Sequence, residues 1–247
     1  AHLGYSVDVD RDDAKQALMT FMYGAEMKPK EIFGEDTPEY SAFFKAAQET
    51  APEAYDLRNI LLNSWQAGAL EHSWVMPDGF NVIIKNMVAK DTVIKVPELN
   101  SSFTHRFLEN EGTDKGLSIP ANAVHSIDAM VVREMNRRCN YDVDQLIKIS
   151  DLLLTDKRPR VPDHQLNKTN FITVRDIEIH LSKPKQIGQL GINYLTRLEK
   201  LVSEMLQNKP FELVCIHDAM KAHANNMNTV RYWYKEILAE LADSHLM

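Results

Sequence analysis

Arg11, Lys15 and the pair Tyr23-Gly24 fall in one helix-forming run, RDDAKQALMTFMYGAE, at residues 11–26. On an ideal helix each four-residue step advances about 40°, so positions 11, 15, 19 and 23 form a slowly turning stripe that rises about 18 Å from first to last. That is close to the length of an extended nucleoside triphosphate. The two cations lie near the helix N-terminus, where unpaired backbone N–H groups and the helix dipole also favour anions. Such an arrangement could hold phosphates at the first turns and a nucleoside beside Tyr23. The competing reading makes Arg11 and Lys15 surface charges, paired with Asp12 or Asp13, and puts Tyr23 in the core.

A second candidate is His217-Asp218, at the end of FELVCIHDAM. The apolar run reads as a short buried strand, and a strand end would fix the Asp218 carboxylate rigidly. One or two carboxylates with substrate oxygens are the usual setting of Mg²⁺. A single aspartate is half of a two-metal site. The competing reading makes Asp218 a turn residue and His217 a packing residue. The nine histidines include no His-x3-His spacing, so a metal hydrolase has no motif to rest on.

The elements that must position these groups are legible in outline. Residues 12–24 form an amphipathic helix with Gly24 near its stop, and Thr37-Pro38 reads as an N-cap followed by proline at the first helical position. That helix runs to about Glu49, and the next from Pro52 to about Leu70. In SWVMPDGFNVIIK, residues 73–85, strand formers flank a Pro-Asp-Gly turn, which predicts a hairpin. DTVIKV at 91–96 is another strand, and the polar stretch 97–120 is a long exposed loop or ribbon. Helices follow at 122–139 and 143–154; FITVRDIEIHL, residues 171–181, alternates like a strand; 186–207 has helical periodicity. A closing helix over about 228–245 buries Val230, Trp233, Ile237, Leu238 and Leu241. The expected fold class is α+β, rich in helix.

The 247 residues, 44% hydrophobic and 26% charged, suit a globular protein with one large or two smaller cores. No apolar run approaches a membrane span, and two cysteines cannot frame a disulfide-stapled fold, so a reducing cytoplasm is the expected compartment. The opening AHLGYSVDVD lacks the layout of a secretory signal. Net charge is −7, yet residues 131–210 hold 14 Lys and Arg against 10 Asp and Glu, so a local basic surface can meet phosphates.

Taken together, four segments in order resemble the single-subunit RNA polymerases of bacteriophage and mitochondrial type. Arg11-x3-Lys15-x7-Tyr23-Gly24 resembles that family's fingers helix, and WVMPDGF at 74–80 its WVTPDGF stretch. ANAVHSIDA at 121–129 is similar to PNFVHSxDG, and CIHDAM at 215–220 to the HDSFG segment of a catalytic aspartate. The resemblance implies a fingers and palm portion of a right-hand polymerase: fingers over 1–124, palm over 125–142 and 206–247, and an insertion in the palm at 143–205. It implies that Arg11 and Lys15 bind the incoming triphosphate, that Tyr23 with Gly24 selects ribose beside the nascent base pair, and that His125 assists near the 2′-OH. Asp218 would hold catalytic Mg²⁺ with His217 beside it, and Lys15 could protonate the leaving group. Asn122, Ser126 and Asp128 match by position and are assigned structural support.

Implied partners are a DNA template, nascent RNA and ribonucleoside triphosphates in a phage-infected bacterial cell, with no membrane. The family's other metal-binding aspartate, from an LDGSCSG-like segment upstream of the fingers helix, has no counterpart in this sequence. A companion polymerase subunit, or another segment, is therefore expected to supply it, as in the two-chain enzymes of some short-tailed phages. The family's promoter-reading hairpin would fall near Leu99 to Lys115, where Glu109, Glu111 and Asp114 are poor groove readers. Two rivals stand beside this reading: a DNA polymerase of the related hand-shaped class, which shares the fingers-helix pattern, and a noncatalytic assembly subunit.

Overall fold

The computed structural model describes residues 10–155, 171–184, 187, 190–217 and 219–244. The fold is α+β, with about 59% of the described residues in helix and small two-stranded antiparallel sheets. No helix among the described residues is long and apolar enough to cross a membrane. Two compact units divide the chain: one runs to Trp74 and resumes over Val82–His125, the other takes Val75–Asn81 and continues from Ser126.

The first unit opens with α1 (Arg11–Met22), α2 (Met27–Phe33), α3 (Pro38–Thr50) and α4 (Pro52–Asn63). Ala17 and Phe21 of α1 are buried with Phe43 and Ala47 of α3. The Phe21 ring meets Phe43 and Phe44 edge-on, at 5.6 and 4.9 Å between centroids, the arrangement that ring quadrupoles favour. As its sequence predicts, α3 begins with Thr37 accepting a hydrogen bond from the Tyr40 N–H, and Pro38 follows the cap. The short α2 has no counterpart in the sequence reading; Pro29 sits in its first turn, where the missing N–H costs nothing. The following helix stops at Asn63, seven residues before the expected end.

Beyond it, β1 (Glu71–Val75) and β2 (Asn81–Lys85) form the predicted hairpin, and β3 (Met87–Val96) pairs with β4 (Ser101–Asn110) in a ten-residue ribbon. Its register runs from Met87 opposite Asn110 to Val96 opposite Ser101. The polar stretch after residue 97 thus contains the strand over 101–110, and Asn100, at φ 43°, supplies the left-handed turn that asparagine tolerates. Lys90 pairs with Glu109 and Glu111, and Arg106 with Asp91, so carboxylates on or just beyond the opposite strand occupy these ribbon cations.

The division between units falls within α5 (Ser118–Cys139). The second unit adds α6 (Val143–Thr155), α7 (Val174–Ser182), α8 (Ile192–Leu206), β5 (Val214–Ile216), β6 (Ala219–Lys221) and α9 (Met227–Ala242). Leu195, Leu198, Leu201, Val202 and Met205 form the buried stripe of α8, with Leu146, Ile149 and Leu153 buried on α6 and Val230, Trp233 and Ile237 on α9. Leu238, expected inside, is exposed.

Two strand expectations are corrected here. Residues 174–182 are helical because Thr173 and Asp176 close a capping box, each side chain accepting from the other's backbone N–H, and Val174, Ile177 and His180 recur every three residues on the buried side. The alternation of FITVRDIEIHL fits both periods, and the cap decides between them. The strand before His217 is not buried: Val214 and Ile216 are 55% and 50% exposed, because three-residue strands in a two-stranded sheet leave one face open.

Two charged groups organise this unit. Arg138, fully buried, donates to Glu134 at 2.9 Å, to both carboxylate oxygens of Glu240 at 3.0 and 2.6 Å, and to the Ile172 carbonyl at 3.2 Å. Glu134, also fully buried, takes a further bond from the Val174 N–H that opens α7. At the hairpin tip, the buried Asp78 carboxylate accepts two bonds from Arg133, at 2.6 and 3.0 Å, and one from Arg137 at 3.0 Å.

Burial pushes the Asp78 carboxyl up, but hydrogen bonding and charge from Arg133, then from Arg137, outweigh it and hold the pKa below the usual range. A carboxylate depressed on folding contributes stability above its unfolded pKa of about 4 and loses it as pH falls through the folded value. Asp78→Asn should therefore lower stability at pH 7 by about 1.5–3 kcal/mol, the worth of hydrogen bonds to a charged group. Thermal melts of the variant and parent should converge below about pH 4. A gap that persists unchanged down to pH 2 would show that the charge is not what Asp78 contributes.

Candidate functional site

Arg11 and Lys15 are exposed on the first turns of α1, across the helix from buried Ala17 and Phe21. Neither cation forms an ion pair among the described residues, so pairing with Asp12 or Asp13 is not found there. Those two carboxylates sit in the first turn, where the helix dipole favours them. The anchoring of Phe21 fixes which face carries the cations.

The helix stops in a Schellman turn. Gly24 N–H donates to the Phe21 carbonyl at 2.9 Å and Ala25 N–H to the Thr20 carbonyl at 3.0 Å, with Gly24 at φ +96°. A Cβ at Gly24 would also stand 3.0 Å from the Leu117 carbonyl oxygen and 3.3 Å from Pro120 Cγ. Glycine is thus required twice, by the left-handed backbone and by close approach to the first turn of α5. Gly24 is buried, and its place is to set the geometry of its neighbour.

That approach brings the Tyr23 ring to the His125 ring, with centroids 5.4 Å apart and planes inclined at 51°. Tyr23 is half-buried and His125 exposed, so the pair is open to a ligand on one side. One turn earlier on α5, the Asn122 side chain donates to the Ser118 carbonyl at 2.8 Å, consistent with a supporting role. Within the first unit, then, the folded chain gathers Tyr23, Gly24 and His125, and sets Arg11 and Lys15 three and two turns back along α1.

Sequence reasoning passed over Arg58. It is 5% exposed on α4, with its guanidinium carbon 3.9 Å from the centre of the Phe21 ring. Its signal was available: Tyr55, Arg58 and Leu62 recur at i, i+3 and i+7, so a cation occupies an apolar-periodic position.

Asp218 lies outside the described residues. The strands on either side of it pair with Ile216 opposite Ala219, and His217 has φ 55°, in the left-handed region rare for non-glycine residues. Among the described residues no group of three or more His, Cys, Asp or Glu side chains is placed to hold a metal ion. The oxygen donors of Asp218 have the hard-ligand chemistry of Mg²⁺, but one carboxylate is not a complete set. Neither a protein-family model nor a curated protein sequence matches this chain.

Proposed function

We propose that this chain is the fingers and palm portion of a DNA-directed RNA polymerase, working in the bacterial cytoplasm with a companion subunit on a DNA template. The observation that supports this most is the pairing of Tyr23 with His125 at the end of a helix whose first turns carry Arg11 and Lys15 free of ion pairs among the described residues. Arg11 and Lys15 bind the triphosphate of an incoming ribonucleotide, and Lys15 donates a proton to the departing pyrophosphate. Tyr23 and His125 face the sugar; polar groups that the bound nucleotide covers and its 2′-OH satisfies are left unpaired by a deoxyribonucleotide, which is how such a site discriminates. Asp218 holds Mg²⁺ jointly with a carboxylate from another chain, and the bound metal supplies charge stabilisation for the attacking and leaving oxygens.

Competition against an ATP labelled on its γ-phosphate tests the nucleotide site in the isolated chain. ATP should displace the label more readily than 2′-deoxy-ATP. Arg11→Ala with Lys15→Ala should weaken both by about tenfold or more, since each charge-assisted bond is worth roughly 1.5–3 kcal/mol. Tyr23→Phe should reduce the preference for ATP and leave phosphate binding intact. An unchanged preference in Tyr23→Phe removes Tyr23 from sugar reading, and unchanged affinity in the double variant removes the triphosphate grip. The isolated chain should make no RNA on a primed DNA template; robust synthesis would refute the shared metal site.

A further inference from the structure

Arg58 is held at the point where α1 ends. Its Nε donates to the Phe21 carbonyl at 2.7 Å, Nη1 to Asn59 Oδ1 at 3.2 Å and Nη2 to Glu26 Oε1 at 3.2 Å. The Phe21 carbonyl is the one that also accepts the Gly24 N–H in the Schellman turn. Glu26 lies just beyond that turn, as the residue before α2. A single buried cation therefore ties the chain on both sides of Tyr23-Gly24, while its plane covers the ring that anchors α1 in the core.

A space-filling role does not call for this residue. A methionine or leucine would fill a similar volume without the cost of removing a guanidinium from water, and the carboxylate opposite Arg58, Glu26, is itself about half exposed. What arginine adds is direction: planar, forked donors that fix a carbonyl and a carboxylate in one geometry. Its positive charge also suits the C-terminal end of a helix.

We propose that Arg58 is a positioning residue for the sugar-reading face of the nucleotide site: it sets the end of α1 so that Tyr23 meets His125. It touches neither triphosphate nor ribose, so its loss should change discrimination between sugars and spare phosphate binding. This inference rests on the nucleotide-site reading above, and the same competition assay separates the two. The probes are ATP, 2′-deoxy-ATP and inorganic tripolyphosphate, which has no sugar and depends on Arg11 and Lys15 alone.

Arg58→Met should lower the preference for ATP over 2′-deoxy-ATP by about three- to tenfold, the worth of one hydrogen bond, with tripolyphosphate affinity unchanged. Arg58→Lys, which keeps the charge and loses the fork, should recover part of that preference. If circular dichroism shows that Arg58→Met does not fold, Glu26→Gln takes its place; it frees one arm of the guanidinium from a half-exposed partner and should give a smaller loss of the same kind. Should Tyr23→Phe reduce the preference while the folded Arg58 or Glu26 variant retains it, Arg58 is structural and the proposal is overturned. Should Tyr23→Phe itself have no effect, the sugar-reading assignment fails first. Parallel loss of tripolyphosphate binding in the Arg58 variant would also overturn it, because general disruption and not sugar positioning would be the cause.

Discussion

If the proposed polymerase function holds, Asp218→Asn, assayed with the proposed companion chain, is expected to lose templated RNA synthesis by about a thousandfold or more, while ATP binding stays within about twofold of the parent. Asparagine keeps the size of the side chain and one oxygen but removes the charge that makes a carboxylate a ligand for a hard cation. Charge stabilisation by a bound metal is worth several kcal/mol in the transition state, and about 1.4 kcal/mol corresponds to a factor of ten in rate. The triphosphate grip, by contrast, is assigned to Arg11 and Lys15 in the other unit, so binding should survive. Full synthesis by the variant would take Asp218 out of the reaction and leave the noncatalytic assembly role as the better reading. Loss of synthesis together with loss of ATP binding would point to disturbed folding and not to chemistry.

Arg138→Met is expected to cost the second unit about 3–5 kcal/mol, a large share of the roughly 5–15 kcal/mol that holds a typical domain folded. Methionine fills much of the space and leaves Glu134 with only the Val174 N–H and Glu240 with neither of its Arg138 bonds. Most of the penalty is the uncompensated buried charge of Glu134, not the missing attraction. Glu134→Gln combined with Arg138→Met should therefore be more stable than Arg138→Met alone. Urea unfolding followed by far-ultraviolet circular dichroism would read this directly. If the double variant is the less stable of the two, the burial argument is wrong and the pair acts through packing.

Local signals carried much of the fold. Thr37-Pro38 announces a helix start, Pro77-Asp78-Gly79 a turn, and Gly24 a helix stop, because each is a matter of backbone conformation within a few residues. What sequence did not yield is partner choice at long range. Asp78 reads as a turn residue, yet its carboxylate is claimed by two arginines 55 and 59 positions away. The apolar-periodic position of Arg58 marks it as inward-facing, but does not reveal that Phe21, 37 residues earlier, presents a carbonyl to it. The 171–181 segment failed for the opposite reason: two local signals conflicted, and the capping box outweighed the alternation. At the proposed nucleotide site Tyr23 and His125 were each named from a resemblance, but their meeting depends on how closely Gly24 lets two helices approach.

The Arg138 network also dictates when this unit can complete itself during synthesis. Glu240 follows Arg138 by 102 residues, so the ribosome must deliver nearly the whole second unit before the guanidinium finds its second carboxylate. Until then the nascent chain carries an arginine and a glutamate whose burial is only partly compensated, and closing so long a loop is entropically slow. By this reasoning α9 is the latch of a late folding step, and truncating the chain before residue 240 should leave a species prone to capture by chaperones.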